Sequence, residues 1–433
     1  MRTQNFFISH VKKAAGILLL LLVLIPAYAA AEQAAYPVPA YAGAELQKLR
    51  GWEKTWVGKK INSSNAGEVK EFLTESFYNI ITDPKTWGEI WFEVSPYSEI
   101  KETTGMIEYT NKYNGTCKIG PNEELLNWVC GIPFPTPTTA IEVMWNFNCP
   151  THGDTFLSVM NGVQVDGRKG YDREMKSTAW NMWWTGRTDI PPLPALPGNT
   201  KGIRKATHTA WDEPKILKGD RNLAIRWTDP NKEWGQWGFS TSTRRVTRRS
   251  AAFRWTQLGG SDMTPDDGYG YDYEVNAQTY KLVGRKELLA PRHNSSQAIY
   301  KQHVAGQMYD SGIKKERINT YVIEAKHKDP NYIYGKQIYY IDPESYIMVW
   351  ADKYDPDGKL FKLIECSQEE IKQNYDGQGK IRATYVNFID VQRLHSTIGA
   401  YPRNEVGDSA DGPNGKYYRE TFYTPKALEE FGY

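Results

Sequence analysis

Apolar positions at spacings of 3 and 4 run through Val69, Phe72, Leu73, Phe77 and Ile80, with Glu71 and Glu75 on the opposite side, so the pattern predicts an amphipathic helix over Asn65–Ile81. Asp83-Pro84 stops it. A shorter helix is predicted at Ala44–Arg50. Beyond these the periodicity falls to two. Ile141, Val143, Trp145 and Phe147 alternate with more polar neighbours, the signature of a strand with one buried face. Asn114-Gly115 between Met106–Tyr113 and Thr116–Ile119 predicts one β-hairpin. Asn161-Gly162 between Phe156–Met160 and Val163–Val165 predicts another.

A meander follows, with strands predicted at 216–227, 236–245, 271–288, 320–326, 333–341, 346–354, 360–366 and 384–391. Gly219-Asp220, Asp329-Pro330, Asp342-Pro343 and Asp355-Pro356-Asp357-Gly358 supply turn chemistry within and between them. A sheet of this many strands must curl, into either a closed barrel or a half-barrel whose concave face needs a cover. The amphipathic helix is the natural lid. The prolines of segment 191–198 exclude helix and central strand, making it a connector or covering loop. Thr424-Pro425 starts a last helix through Glu430.

The N-terminus changes the picture of where such a fold works. Arg2, Lys12 and Lys13 precede an apolar run from Ala14 to Ala27 and the small-residue stretch Ala27-Tyr28-Ala29-Ala30-Ala31, which reads as a cleaved signal peptide over residues 1–31. The run is shorter than the roughly 20 residues a membrane-spanning helix needs. Its removal takes the formal charge from +2 to −1, with 50 Lys and Arg against 51 Asp and Glu. A neutral mature chain gives no support for nucleic-acid binding. The expected place is the periplasm, with association to the outer membrane open.

Four cysteines suit an oxidising compartment, and Cys117 with Cys130 is the expected local disulfide. No C-x-x-C, H-E-x-x-H, G-x-S-x-G or Walker loop occurs, so no metal site or cofactor is expected and an enzyme is disfavoured. The densest acidic segment holds Asp262, Asp266, Asp267 and Asp272. It could take Ca²⁺, supply paired carboxylates, or be a solvated loop. Arg244, Arg245, Arg248 and Arg249 could hold a lipid headgroup, an anionic partner, or that acidic loop through Asp262, Asp266 and Asp267. Trp183, Trp184, Trp227, Trp234, Trp237, Phe239 and Trp255 cluster in the same part of the chain. They line an apolar pocket if the sheet is open, and are core if it is packed.

Gly131-Ile-Pro-Phe-Pro135, Met144-Trp-Asn-Phe147, Arg244-Arg-Val-Thr-Arg-Arg249, the Asp262–Asp267 loop, Tyr280-Lys-Leu-Val-Gly-Arg-Lys-Glu287 and Ile338-Tyr-Tyr-Ile-Asp342 occur in this order. Together they resemble the proteobacterial outer-membrane lipoprotein-sorting-like family of unknown function, domain-of-unknown-function 1329. The resemblance implies a fold similar to the periplasmic Lol lipoprotein carriers: mainly β (α+β), a curved, incompletely closed antiparallel half-barrel with covering helices, in one domain over 32–433. It also implies a carrier of lipid or of an acylated lipoprotein, partnered by an inner-membrane efflux-type permease and an outer-membrane acceptor. The rivals are a secreted hydrolase using the Asp cluster and a ligand-free structural partner of a transporter.

Overall fold

A computed structural model describes residues 36–149, 153–296, 307–371, 380–406 and 419–430; the expected signal peptide lies outside them. The described chain after residue 35 belongs to one compact unit. None of its helices is long and apolar enough to cross a membrane.

The N-terminal part carries helices α1 (Gly43–Trp56), α2 (Glu75–Ile81), α3 (Pro84–Trp87), α4 (Thr104–Tyr113) and α5 (Ala140–Phe147). Among them lie the short strands β1 (Lys60–Asn62), β2 (Trp91–Ser95), β3 (Lys118–Ile119) and β4 (Leu125–Leu126). The long strands follow: β5 (Thr155–Asp166), β6 (Gly170–Trp183), β7 (Ile203–Glu213), β8 (Arg221–Trp227), β9 (Gly235–Ser240) and β10 (Arg245–Arg248). After a stretch of 3-10 turns come β11 (Gln278–Pro291), β12 (Ile313–His327), β13 (Lys336–Ile341), β14 (Met348–Tyr354), β15 (Leu360–Ile371), β16 (Lys380–Asp390) and β17 (His395–Val406). Helix α6 (Pro425–Glu430) ends the described chain, with Thr424 Oγ1 accepting from Ala427 N at 3.2 Å.

All but β3 and β4 join one curved, unclosed sheet, in the order β1-β2-β12-β13-β14-β15-β16-β17-β5-β6-β7-β8-β9-β10, with β11 on the free side of β12. Its pairs are antiparallel except β2 with β12. The expected mainly β, incompletely closed architecture holds. Its middle is packed on both faces, which strand alternation makes possible. Leu363, Tyr385 and Ile389 point into a core with Phe77, Ile80 and Val69 of the N-terminal segment. Their neighbours Ile364, Val386 and Phe388 point into a second core with Val143, Met144 and Tyr271. The limb β6–β9 is covered on its outer face by Phe422, Tyr423 and Leu428.

Several local expectations are corrected, each by a capping or turn signal that outweighs periodicity. The helix over 65–81 is two pieces, a 3-10 turn at Ala66–Phe72 and α2. Leu73 between them is extended because Thr74 caps α2, accepting from Phe77 N at 3.1 Å. The buried stripe itself stands, with Val69, Phe72, Leu73, Phe77 and Ile80 all in the core. Met106–Tyr113 is helix rather than strand: Thr103 caps it, and Gly115, at φ +76°, belongs to the turn that ends it. Ile141–Phe147 is α5, because Thr139 and Glu142 form a reciprocal capping box, and residues of both parities are buried. Asn161-Gly162 lies inside the continuous β5; a Cβ on Gly162 would stand 2.6 Å from the carbonyl oxygen of Ile398. The turn comes later, where Asp166 Oδ1 accepts from Arg168 N and Lys169 N at 2.8 and 3.1 Å.

Candidate ligand-binding cavity

The segment between β10 and β11 folds back across the inner face of the β5–β9 limb and leaves a cavity of about 210 Å³ beneath it. Period-two alternation sets the wall. From β7 it takes Lys205, Thr207, Thr209 and Trp211, and from β8 Asn222, Ala224 and Arg226. The roof is Phe253, Leu258, Met263 and Tyr269. Tyr269 holds φ +51°, a strained backbone for a non-glycine residue, which turns its ring into the cavity wall.

The two ends differ in chemistry. At one end Lys205, 8% exposed, stands beside Arg226, whose guanidinium binds Asp272 and covers the Trp234 ring at 3.9 Å. Burial, with Arg226 nearby, pulls the Lys205 ammonium down to about 8. Adjoining this end, a smaller space of about 30 Å³ is lined by Trp183, Phe147 and Cys149 among others. At the other end Met160, Trp211, Leu258, Met263 and Tyr401 pack as an apolar group. Between them lie Asn181, Thr207, Ala224 and Gln236.

The predicted aromatic residues divide. Trp183 lines the adjoining space, and Trp237, which touches the edge of the cavity, shares its strand face with Phe239 and packs against the outer core. Trp184 and Phe239 point to the other face, into the core under Phe422 and Tyr423. Trp227 packs against that core, with Lys232 over its ring at 3.4 Å, and Trp255 meets Tyr332 edge-on at 5.5 Å. The arginines divide as well. Arg244, Arg245 and Arg248 are exposed on the β9–β10 hairpin, whereas Arg249 reaches the cavity, its guanidinium over Phe253 at 4.6 Å.

The acidic loop is not the partner of those arginines. Asp266 pairs with Arg254 at 3.0 Å, Asp267 with Lys353 at 2.6 Å, and Asp262 with His395 at 2.6 Å. All three carboxylates are fully buried and none lines the cavity. Each carboxylate thus faces a basic side chain of the protein, and among the described residues no three acidic, His or Cys side chains converge as a Ca²⁺ site would need. Burial raises Asp266 to about 6 against the pull of Arg254. Burial works on Asp267 in the same direction, but Lys353 and Lys362 outweigh it and hold that group at about 2. The expected Cys117–Cys130 bond is absent: both are buried free thiols, as are Cys149 and Cys366. Burial keeps Cys117 and Cys130 up at about 12, with Asp154 adding to the rise at Cys130, so neither is an activated nucleophile.

Sequence reading missed Lys205, Arg226 and Tyr269. The signal was there for Lys205, since Lys205, Thr207, Thr209 and Trp211 alternate with Arg204, Ala206, His208 and Ala210. Such a strand has two semi-apolar faces, and here each is covered by a different part of the chain.

A family model described as a protein of unknown function, DUF1329, matches residues 60–429, nearly all of the described fold. The chain belongs to the DUF1329 family. An uncharacterised protein of Pseudomonas aeruginosa is 24% identical over 323 residues, 71% of this chain and 67% of that one. A solved DUF1329 protein from Desulfovibrio piger overlaps 64% of this chain and 92% of its own, at 15% identity and a TM-score of 0.44. A solved LolA-superfamily protein from Nitrosomonas europaea overlaps 65% of this chain and all of its own, at 14% identity and a TM-score of 0.39. Within the DUF1329 region of this chain fall every wall residue of the cavity and the three buried aspartates.

Proposed function

We propose that this DUF1329 protein is a non-enzymatic carrier that shields an apolar chain, of a lipid or of an acylated lipoprotein, in the cavity under the 251–272 segment. The observation that carries the reading is the apolar group Met160, Trp211, Leu258, Met263 and Tyr401 facing an open space instead of being filled by side chains. Burying an acyl chain gains about 0.8 kcal/mol per CH₂, so even half of a chain of about 16 carbons offers roughly 6 kcal/mol before ordering costs. That suits reversible carriage. A cavity of about 210 Å³, below the roughly 300–1,000 Å³ typical of ligand pockets, favours one chain over several.

The proposed setting is the periplasm, after removal of residues 1–31, with a lipid-exporting permease of the inner membrane as donor and an outer-membrane acceptor. Handing over such a ligand needs no cofactor. The hydrolase rival loses support because Asp262, Asp266 and Asp267 are closed inside the protein by Arg254, Lys353 and His395, with no carboxylate pair facing the cavity.

The test is native mass spectrometry with lipid extraction on protein purified from a periplasmic fraction. A stoichiometric co-purified lipid is expected, and it names the ligand class. An empty protein that also fails to take up a fluorescent fatty acid overturns the carrier and favours a ligand-free partner of the permease.

A further inference from the structure

The cavity is graded from charge to hydrocarbon along the strands that build it. Lys205 and Trp211 stand on the same face of β7 six residues apart, which at strand rise is about 20 Å. Arg226 continues the charged end on β8, opposite Lys205 in the register, and Met160 continues the apolar end on β5.

At the charged end the cations outnumber the carboxylates. Arg226 is matched by Asp272 and neighbouring Arg204 by Glu274, at 2.8 Å. Lys205 has no ion pair or hydrogen bond of its own among the described residues: Asp272, bound to Arg226, favours its charge only from beyond bonding distance, and the Trp183 ring lies 5.3 Å from Nζ to the centroid. It is nevertheless more than nine-tenths buried and lines the cavity. A buried ammonium without a partner is costly, and an anion arriving from the cavity removes that cost while forming a charge-assisted hydrogen bond. The other charged groups of the wall are placed differently: Arg226 and Asp272 are bound to each other, and Arg249 lies over Phe253, whereas Thr207, Asn181 and Gln236 are uncharged.

We propose that the cavity takes a single-chain amphiphile head first, its anionic group, carboxylate or phosphate, on Lys205 and its acyl chain along β7 toward Trp211 and Met160. This rests on the carrier reading and adds polarity and headgroup charge to it. The polar middle, Thr207 and Asn181, then meets the headgroup side of the ligand, and the methionines meet the chain.

Three ligands with the same palmitoyl chain separate the possibilities: palmitate, palmitoyl lysophosphatidic acid and uncharged monopalmitoylglycerol. Each is titrated at pH 7 into delipidated full-length mature protein and into Lys205→Met and Lys205→Arg variants, with thermal melts to verify folding. The wild type is expected to bind one or both acids about tenfold or more tighter than the neutral ligand, as a charge-assisted hydrogen bond implies. The tighter acid identifies the headgroup. Lys205→Met is expected to lose the preference and keep neutral binding, and Lys205→Arg to retain most of it. Equal binding of acid and neutral ligand by the wild type, or an undiminished preference in folded Lys205→Met, overturns this proposal and leaves the carrier standing. If Lys205→Met does not fold, the wild-type comparison alone decides. Failure of all three ligands to bind overturns both.

Discussion

Lys353 sets its ammonium 2.6 Å from Oδ1 of Asp267, and both side chains are sealed from solvent. The other carboxylate oxygen accepts from Thr264 N and Oγ1, at 3.0 and 2.9 Å, so the pair ties strand β14 to the segment roofing the cavity. Removing one member of a buried pair leaves the other uncompensated, at a cost of about 3–5 kcal/mol. Asp267→Asn should therefore destabilise by about that amount in chemical denaturation. Adding Lys353→Met should recover part of the loss. Additive losses in the double-mutant cycle would count against the pairing. Asp267 is held below its ordinary value, so its contribution is present above about pH 4 and should fade as pH drops toward about 2.

Helix α5 rests on its capping box rather than on length, having only eight residues. Thr139→Ala removes the acceptor for Glu142 N and should cost about 1 kcal/mol, read as a lower melting temperature. Thr139→Ser, which keeps the acceptor, should lose much less.

That box also shows what was legible in the sequence. Thr139-x-x-Glu142 is a local signal and could have corrected the strand reading of Ile141–Phe147. The sheet was legible as a meander because its later turns are marked by Asp-Pro pairs. The acidic cluster was legible because its members are close in sequence, but its partners were not: Lys353 and His395 lie 86 and 133 residues from theirs. Nor did any local pattern tell that Trp184 faces outward while Trp183 faces the inner space, since which face of a strand is covered depends on segments folded back from elsewhere.

Phe422 covers the outer face of the limb, stacking on His208 at 4.3 Å and meeting Trp180 edge-on at 5.4 Å. Its removal should cost about 3–5 kcal/mol. In Phe422→Ala, limited proteolysis should begin at the C-terminal segment under conditions where the wild type resists. Equal protection of that segment in both proteins would show that α6 is held by other contacts.

Asp352 is buried beside Ser76 Oγ, at 2.5 Å, and Trp350 Nε1, at 2.7 Å. Burial raises it to about 6, and these two hydrogen bonds offset only part of that rise. A carboxyl raised on folding contributes stability that is complete below about pH 4 and is lost as pH climbs through about 6. Asp352→Asn keeps an acceptor without a charge. It should flatten the pH dependence of stability between about 4 and 6 and stabilise the protein at pH 7 by up to about 3 kcal/mol. Denaturation midpoints across that window check both statements, and an unchanged slope would sink the assignment.

Ala224 offers the cavity only a methyl group, in the stretch of wall between the charged and apolar ends, opposite Thr207 in the register. A tryptophan there would have open space to enter, unlike at a packed core position, where overpacking costs about 1–3 kcal/mol. Ala224→Trp should therefore leave the melting temperature nearly unchanged while cutting the path between Lys205 and Trp211. Uptake of a fluorescent fatty acid should fall by about tenfold or more, the loss expected when an acyl chain forfeits the burial of only a few CH₂ groups. A folded Ala224→Trp protein with undiminished uptake would put the ligand outside this cavity. The exposed face bearing Arg244, Arg245 and Arg248 would then be the next place to look.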